Sequence, residues 1–219
     1  MKKLIGIIFV SIYSFGNIGT VMTLKGEAKI KRSINIKAKM GMKLLEGDVI
    51  LTSSLSKMQV ILIDDTVITI GANSSFGFKE FKFDGTKKSK VTLQANSGYF
   101  RTITGRSGKI APDRFRVKTL NATIGVRGTD FGGYITKDKE IIKCYSGSIW
   151  VKLDSGGVKN VLSNMLIEIS NNKATQTSYF KIDKPRIEKL PEPINSPIQN
   201  VMPNSINDVS ITNVKPKCL

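Results

Sequence analysis

NATIGVRGTDFGG, residues 121–133, decides how the rest of the chain is read. It packs four glycines and one arginine into thirteen positions, which invites comparison with a phosphate-binding loop. Ala122, Ile124 and Val126 alternate with Thr123, Gly125 and Arg127, however, and a period of two is the signature of a strand. Gly128 supplies a backbone conformation that a side chain would forbid, and Thr129 and Phe131 resume the alternation. A phosphate loop needs a helix whose N-terminal amides face the anion, and no helical period follows. The glycines therefore bend a sheet. Arg127 is expected to be paired, or bonded to carbonyls beside the bend, rather than exposed as a ligand clamp.

Working outward, residues 21–180 read almost entirely as short strands. VILID and TVITI flank the turn pair Asp64-Asp65, and FRVKT at 115–119 alternates apolar with basic side chains. Phe76 and Phe78 share one parity and Phe81 and Phe83 the other, so a bulge near Lys79-Glu80 is expected to keep all four inward. No segment sustains a 3.6-residue period. The fold class is all-β, a solenoid-like or sandwich arrangement of short strands. A faint internal repeat supports winding: a glycine followed by alternating residues opens KGEAKIK at 25, SGYFRTI at 97 and SGSIWVK at 146.

The ends differ from this body. Lys2-Lys3, the apolar run from Leu4 and small residues at Ser14 and Gly16 have the three parts of a secretory signal peptide over residues 1–16. The run is well short of the roughly 20 residues a membrane span needs. Six of the seven prolines lie between Pro185 and Pro216, so a proline-rich tail is expected over 184–219, after a body spanning 21–183. The expected product is exported to the periplasm or cell surface without stable membrane insertion. Cys144 and Cys218 are the only cysteines; a buried thiol at Cys144 with a free or intermolecular Cys218, and a bridge between them, are both compatible with that compartment.

The chemistry of catalysis is thin. There is no histidine, which removes the usual general base, the Ser-His-Asp arrangement and the commonest zinc ligand. Ser54-Leu55-Ser56-Lys57 matches S-x-x-K but sits in a polar turn, without the partner motifs of that enzyme class. Gly105-Arg106-Ser107-Gly108-Lys109 lacks phosphate-loop spacing and reads as a mobile basic loop. Asp64-Asp65 and Asp84 could supply paired carboxylates for glycan cleavage, yet acidic residues at such turns ordinarily bond backbone amides. A non-enzyme without cofactor or metal is the expectation.

Charge points to binding. Net charge is +17, from 34 basic against 17 acidic side chains, a surface attracted to anions. Arg101, Arg106, Lys109, Arg114, Arg116, Lys118 and Arg127 fall within 27 positions. Arg114, Arg116 and Lys118 alternate with apolar residues and would share one strand face. Together with Arg101 and Arg106 they are the candidate anion-binding set, and an acidic envelope glycan is the anion that fits an exported chain. Nucleic acid is disfavoured, since no aromatic platform interleaves these charges in sequence.

At this point the residues resemble a known family. Phe115-x-Val117-x-Thr119, Ala122 and Val126-Arg127-Gly128-Thr129-x-Phe131 look like the closing motif of the FecR-like domain, the iron-dicitrate sensor family. Gly47-Asp48 with Val49, Leu51 and Thr52 looks like its opening. Val60-Ile61-Leu62-x-Asp64-Asp65-Thr66 and Ile70-Gly71-Ala72-Asn73-Ser74 look like its middle, and Asn96-Ser97-Gly98-Tyr99-Phe100 resembles its glycine-bearing strand. The match covers about residues 45–135, in the family's order. Leu120 stands where the family usually has proline, and Asp65 where it usually has glycine. The resemblance implies an exported β-domain that senses or binds a partner; it does not carry over sigma-factor control or iron binding, because the anti-sigma segment, transmembrane helix and iron ligands are not visible here. The expected function is a non-catalytic binding, sensing or scaffolding module. It would dock an envelope protein through a sheet edge or loops, with acidic glycan on the basic strand face as the alternative and glycan cleavage as a third reading.

Overall fold

The computed structural model describes residues 16–170 and 173–179; the expected signal peptide up to Phe15 and the proline-rich tail with Cys218 lie outside the described residues. The first strands are β1 (Asn17–Lys25), β2 (Ala28–Lys31), β3 (Asn35–Lys37), β4 (Lys43–Leu45), β5 (Val49–Thr52) and β6 (Lys57–Leu62). β7 (Val67–Ile70), β8 (Ser75–Lys82) and the long β9 (Lys90–Ile103) lead to a one-turn helix, α1 (Arg106–Ile110), and a 3-10 turn at Pro112–Arg114. Next come β10 (Phe115–Lys118), β11 (Ala122–Val126), β12 (Asp130–Ile135) and β13 (Lys139–Ser146). The last are β14 (Ser148–Leu153), β15 (Val158–Leu162), β16 (Met165–Ser170) and β17 (Lys173–Tyr179). The fold is all-β, and its first strand starts four residues ahead of the expected boundary at 21.

Hydrogen-bonded ladders join these strands into one mixed sheet folded into two leaves. Leaf A runs β4-β1-β6-β7-β9-β12-β13-β16-β17. Leaf B runs β3-β2-β5-β8-β9-β10-β11-β14-β15. All ladders are antiparallel except β9 with β10. β9 belongs to both leaves: residues 90–97 pair with β8 and residues 98–103 with β7 and β12. Its parity shows how. Val91, Leu93 and Ala95 are buried, and after Ser97-Gly98 the buried positions become Phe100 and Thr102. A regular strand alternates faces with a period of two, so Gly98, at φ +78°, resets the phase and lets both halves face one core.

That core is a single buried cluster drawing on both leaves, with Phe76 of leaf B and Phe100 of leaf A 5.7 Å apart between ring centroids. The bulge foreseen near Lys79-Glu80 is present between Phe78 and Glu80. It turns Phe76, Phe78 and Phe81 fully inward, while Phe83 packs partly buried against the cluster. Cys144 is buried there as a free thiol, and burial raises its pKa above the ordinary thiol value.

The internal repeat is a corner device. Gly26, Gly98 and Gly147, which open the three repeats, all have positive φ, and each lies where the chain passes between leaves. Opposite each stands a left-handed residue followed by a hydroxyl: Leu55-Ser56, Asn73-Ser74 and Gly128-Thr129. A Cβ on Gly98 would sit 2.6 Å from the Ser74 Cα, and one on Gly26 would sit 3.0 Å from the Ser56 Cα. The amides after two of these glycines then donate to the facing hydroxyls, Glu27 to Ser56 at 2.9 Å and Tyr99 to Ser74 at 3.0 Å. Only glycine permits both the backbone angle and that approach.

Candidate functional site

The carboxylates that sequence raised as possible catalysts are structural. Asp64 is fully buried; its side chain accepts from the Thr66 amide at 3.1 Å, the Thr66 hydroxyl at 2.9 Å and the Ser107 amide at 3.3 Å. Asp65 points the other way and pairs with Arg106 at 2.9 Å. Asp84 accepts from Thr86 and Ser89, bonds that hold its carboxyl below the usual range, the Thr86 amide foremost. The segment Gly105–Lys109, expected as a mobile loop, is instead seated against this hairpin as α1, with Ser107 and Gly108 buried. The Arg106 amide donates to the Asp64 carbonyl at 2.7 Å, and a Cβ on Gly105 would lie 2.1 Å from that same oxygen, so the absent side chain is what allows the contact.

Other positions of the FecR-like motif also build corners and core. Gly47 has φ +88° ahead of the buried Asp48, which accepts from the Leu45 amide at 2.8 Å and is gripped by both Nε and Nη2 of Arg32. Asn73, Gly98, Gly128 and Thr129 are corner residues, while Val126 and Phe131 are core. Arg127 departs from expectation. Among the described residues only its backbone amide is engaged, to the Ser148 carbonyl at 3.3 Å, and its side chain is exposed. The reason is parity: Arg127 follows the inward Val126 at the end of β11 and projects to solvent.

The candidate anion-binding set is distributed. Arg101 lies on leaf A, Arg106 on α1, Arg114 in the 3-10 turn, and only Arg116 and Lys118 share β10 on leaf B. Arg101 grips Asp130 with Nε at 2.9 Å and Nη2 at 2.7 Å and stacks on Tyr145, 4.3 Å from the ring centroid. Arg106 is tied to Asp65 and to the Ile63 carbonyl at 2.8 Å, and covers Phe83. Arg116 meets no carboxylate among the described residues. Its Nη1 donates to the carbonyls of Pro112 and Phe115 at 3.2 and 3.0 Å, and its guanidinium lies 4.5 Å from the centroid of Trp150.

Two outer faces therefore differ in chemistry. On leaf A the register places Tyr99 beside Tyr134 and Tyr134 beside Ile141, with Arg101, Gly132 and Lys143 forming the next row. A hollow of about 190 Å³ there is lined by Tyr99, Gly133, Tyr134, Ile141, Lys143 and Tyr145. Tyr134 is 52% exposed. Tyr145 is partly buried and hydrogen-bonded to Tyr99; burial first, then Tyr99, pushes its hydroxyl up to about 12. On leaf B the register gives a row Glu80-Thr92-Arg116-Gly125-Trp150-Asn160 across six strands. Trp150 lies directly on Gly125, where a Cβ would come within 2.0 Å of the indole. Sequence reading missed these tyrosines and Trp150, because the rows exist only once β9–β14 are in register. At the edges, β15 pairs with β14 alone among the described residues and exposes Val158 and Leu162.

Among the described residues no group of three His, Cys, Asp or Glu side chains could hold a metal ion, and no helix is long and apolar enough to cross a membrane. No curated protein matches the chain. Two crystal structures of a candidate anti-sigma factor from Parabacteroides distasonis ATCC 8503 resemble it, at 19% and 21% identity and TM-scores of 0.49 and 0.50. Each comparison covers 60% of this chain and 59% of that protein, so the likeness spans little more than half of either and is one of fold. The family model described as FecR protein matches residues 48–150, from the buried Asp48 to Trp150. Over that span, which holds β5 to the middle of β14, the chain matches the FecR domain.

Proposed function

We propose that this chain is a non-catalytic, exported binding module of the cell envelope, which senses or scaffolds by docking a protein partner through the outer face of leaf A. The observation that carries the reading is the row of Tyr99, Tyr134 and Ile141, with Tyr145 and Arg101 beside it. Tyrosine and arginine are enriched where proteins bind one another, because each presents a large contact area at modest entropic cost. Arg101 is fixed before any partner arrives, by two bonds to Asp130 and by stacking on Tyr145. A guanidinium already neutralised and immobilised contributes shape and cation–π contact rather than a demand for charge. The match of residues 48–150 to the FecR family supports a regulatory role, as does the fold shared with a candidate anti-sigma factor.

The test is site-specific photocrosslinking in intact cells, with the crosslinker at Tyr134 and, as a reference, at Lys29 on leaf B. The expected result is one dominant protein adduct from position 134, retained at high salt and reduced at least tenfold by Tyr99→Ala. Equal labelling from both positions, or no protein adduct at 134, would overturn the assignment.

A further inference from the structure

We infer that the outer face of leaf B is a second binding site, a groove for an acidic oligosaccharide centred on Arg116 and Trp150. It stands independently of the docking face on leaf A. The starting point is a comparison of arginines. Arg32, Arg101 and Arg106 each meet a carboxylate, from Asp48, Asp130 and Asp65. Arg116, partly buried, meets two backbone carbonyls and no carboxylate among the described residues. Asp113 acts on it through space without an ion pair. Partial burial removes water from a charge, and carbonyl bonds and an indole face leave its net charge unneutralised, whereas a carboxylate would cancel it. Burial indeed lowers the pKa of Arg116, the reverse of the shift at Arg32 and Arg101. Both carbonyl bonds use Nη1, which leaves the edge carrying Nε and Nη2 for a bidentate acceptor such as a carboxylate.

The surroundings extend that site in two directions. On one side, Arg116 borders a hollow of about 500 Å³ with Lys79, Lys90, Thr92 and Lys118, and with the carboxylates of Glu46 and Glu80, of which Glu46 accepts from the Phe81 amide at 2.9 Å. Glu80 in that hollow is already engaged by Lys82 and Lys90, at 3.3 and 2.7 Å. On the other side, Trp150 borders a hollow of about 300 Å³ with Arg127, Ser148 and Asn160, where Asp113 is the one acidic lining residue. The row from Glu80 to Asn160 crosses six strands, about 24 Å at the usual strand spacing. A ligand that fits has carboxylates spaced along a chain, hydroxyls for Thr92, Ser148 and Asn160, and an apolar ring face to lie against the indole. An acidic sugar polymer has all three. A nucleic acid would want successive aromatic platforms, and this row has one. Gly125 is part of the design, since any side chain there would lift Trp150 off the sheet.

Trp150 is the only tryptophan in the chain, so its emission reads the groove directly. The full chain is titrated with oligogalacturonate, with maltoheptaose as a neutral oligosaccharide, and with a single-stranded DNA oligomer. Expected is a saturable change in emission with oligogalacturonate only, weakened at least tenfold by Arg116→Gln and at least threefold by Arg127→Gln. Arg127 is exposed, so the second variant tests the groove should the first lose its fold. Lys137→Gln, in the β12–β13 turn of leaf A, changes affinity less than twofold. Equal binding of maltoheptaose, tighter binding of DNA, or a loss with Lys137→Gln matching that with Arg116→Gln would each overturn the inference.

Discussion

Replacing Gly98 by alanine tests whether the three corner glycines are what fold one sheet into two leaves. Alanine at φ +78° bears the left-handed penalty of about 1–2 kcal/mol. Its Cβ would also stand 2.2 Å from the Ser74 hydroxyl and 2.6 Å from the Ser74 Cα. The hydroxyl accepts from the Tyr99 amide at 3.0 Å, so displacing it loses a bond of about 1 kcal/mol. The Cα is backbone and yields only by moving the β7–β8 corner, a repacking of about 1–3 kcal/mol. The total is about 3–6 kcal/mol. Gly41 is the internal reference: at φ +80°, with nothing within 4 Å of a Cβ, Gly41→Ala carries the left-handed penalty alone. In urea unfolding followed by Trp150 emission, Gly98→Ala lowers the midpoint at least about 0.7 M further than Gly41→Ala, the extra loss of about 2–4 kcal/mol being read against slopes of about 1–3 kcal/mol/M. Ser74→Gly removes the nearer atoms but not the Cα, so the double variant recovers part of the loss, a non-additivity that identifies the contact. Midpoints for Gly98→Ala and Gly41→Ala within error of each other would refute the corner account.

Two further outcomes follow from buried polar groups. Glu140, fully buried, accepts from the Thr119 hydroxyl at 2.6 Å and from both the Asn121 amide and its side chain at 2.8 Å. Glu140→Ala costs about 3–5 kcal/mol in the same unfolding assay, since three donors lose a charged acceptor. Glu140→Gln stays within about 1 kcal/mol, because Thr119 can instead donate to the Ala122 carbonyl at 3.1 Å and accept from the new amide. Tyr145 titrates at about 12 against an ordinary 10.0, so the folded state holds its proton more tightly than the unfolded state does. Its contribution is fully present below pH 10 and is lost as pH rises toward 12. Tyr145→Phe flattens that limb of the stability profile, and an unchanged slope would show that another group carries it.

What sequence could and could not convey follows from range. Alternation over β6, β7 and β10, the αL need at Gly128 and the bulge between Phe78 and Glu80 are local, and each was legible in a handful of neighbouring residues. The repeat was legible as a pattern, although its cause, a glycine meeting a Ser or Thr up to 30 positions away, was not. Arg127 was misread because the decision between a paired and an exposed arginine depends on what stands opposite, and β14 supplies only a carbonyl for its amide. Gly105–Lys109 was misread for the same reason: glycines that suggest mobility in sequence are, against Asp64, the means of close packing. Leu120 stands where the family usually has proline, and the turn is held instead by Glu140, a residue 20 positions on that carried no signal of its own.

The clustering of seven cations in 27 positions was a correct observation with too simple a consequence. A strand crossing from one leaf to the other deals its side chains to different surfaces, so one basic segment in sequence becomes two environments in space. On leaf A the acidic partner came with the fold: Asp130, two residues past the bend at Gly128, pairs with Ile103 and reaches Arg101 diagonally on the same face. On leaf B the register sets Arg116 opposite Gly125 and Thr92, neither of which can neutralise it. A neutralised guanidinium packed on a tyrosine suits a surface that binds by shape, and binding there should persist as salt rises. An unneutralised one on a tryptophan suits a surface that binds by charge, with affinity falling as counterions screen it. Salt dependence therefore separates the two faces in one molecule, and a partner lost with Tyr99→Ala should be insensitive to the salt that releases a ligand lost with Arg116→Gln.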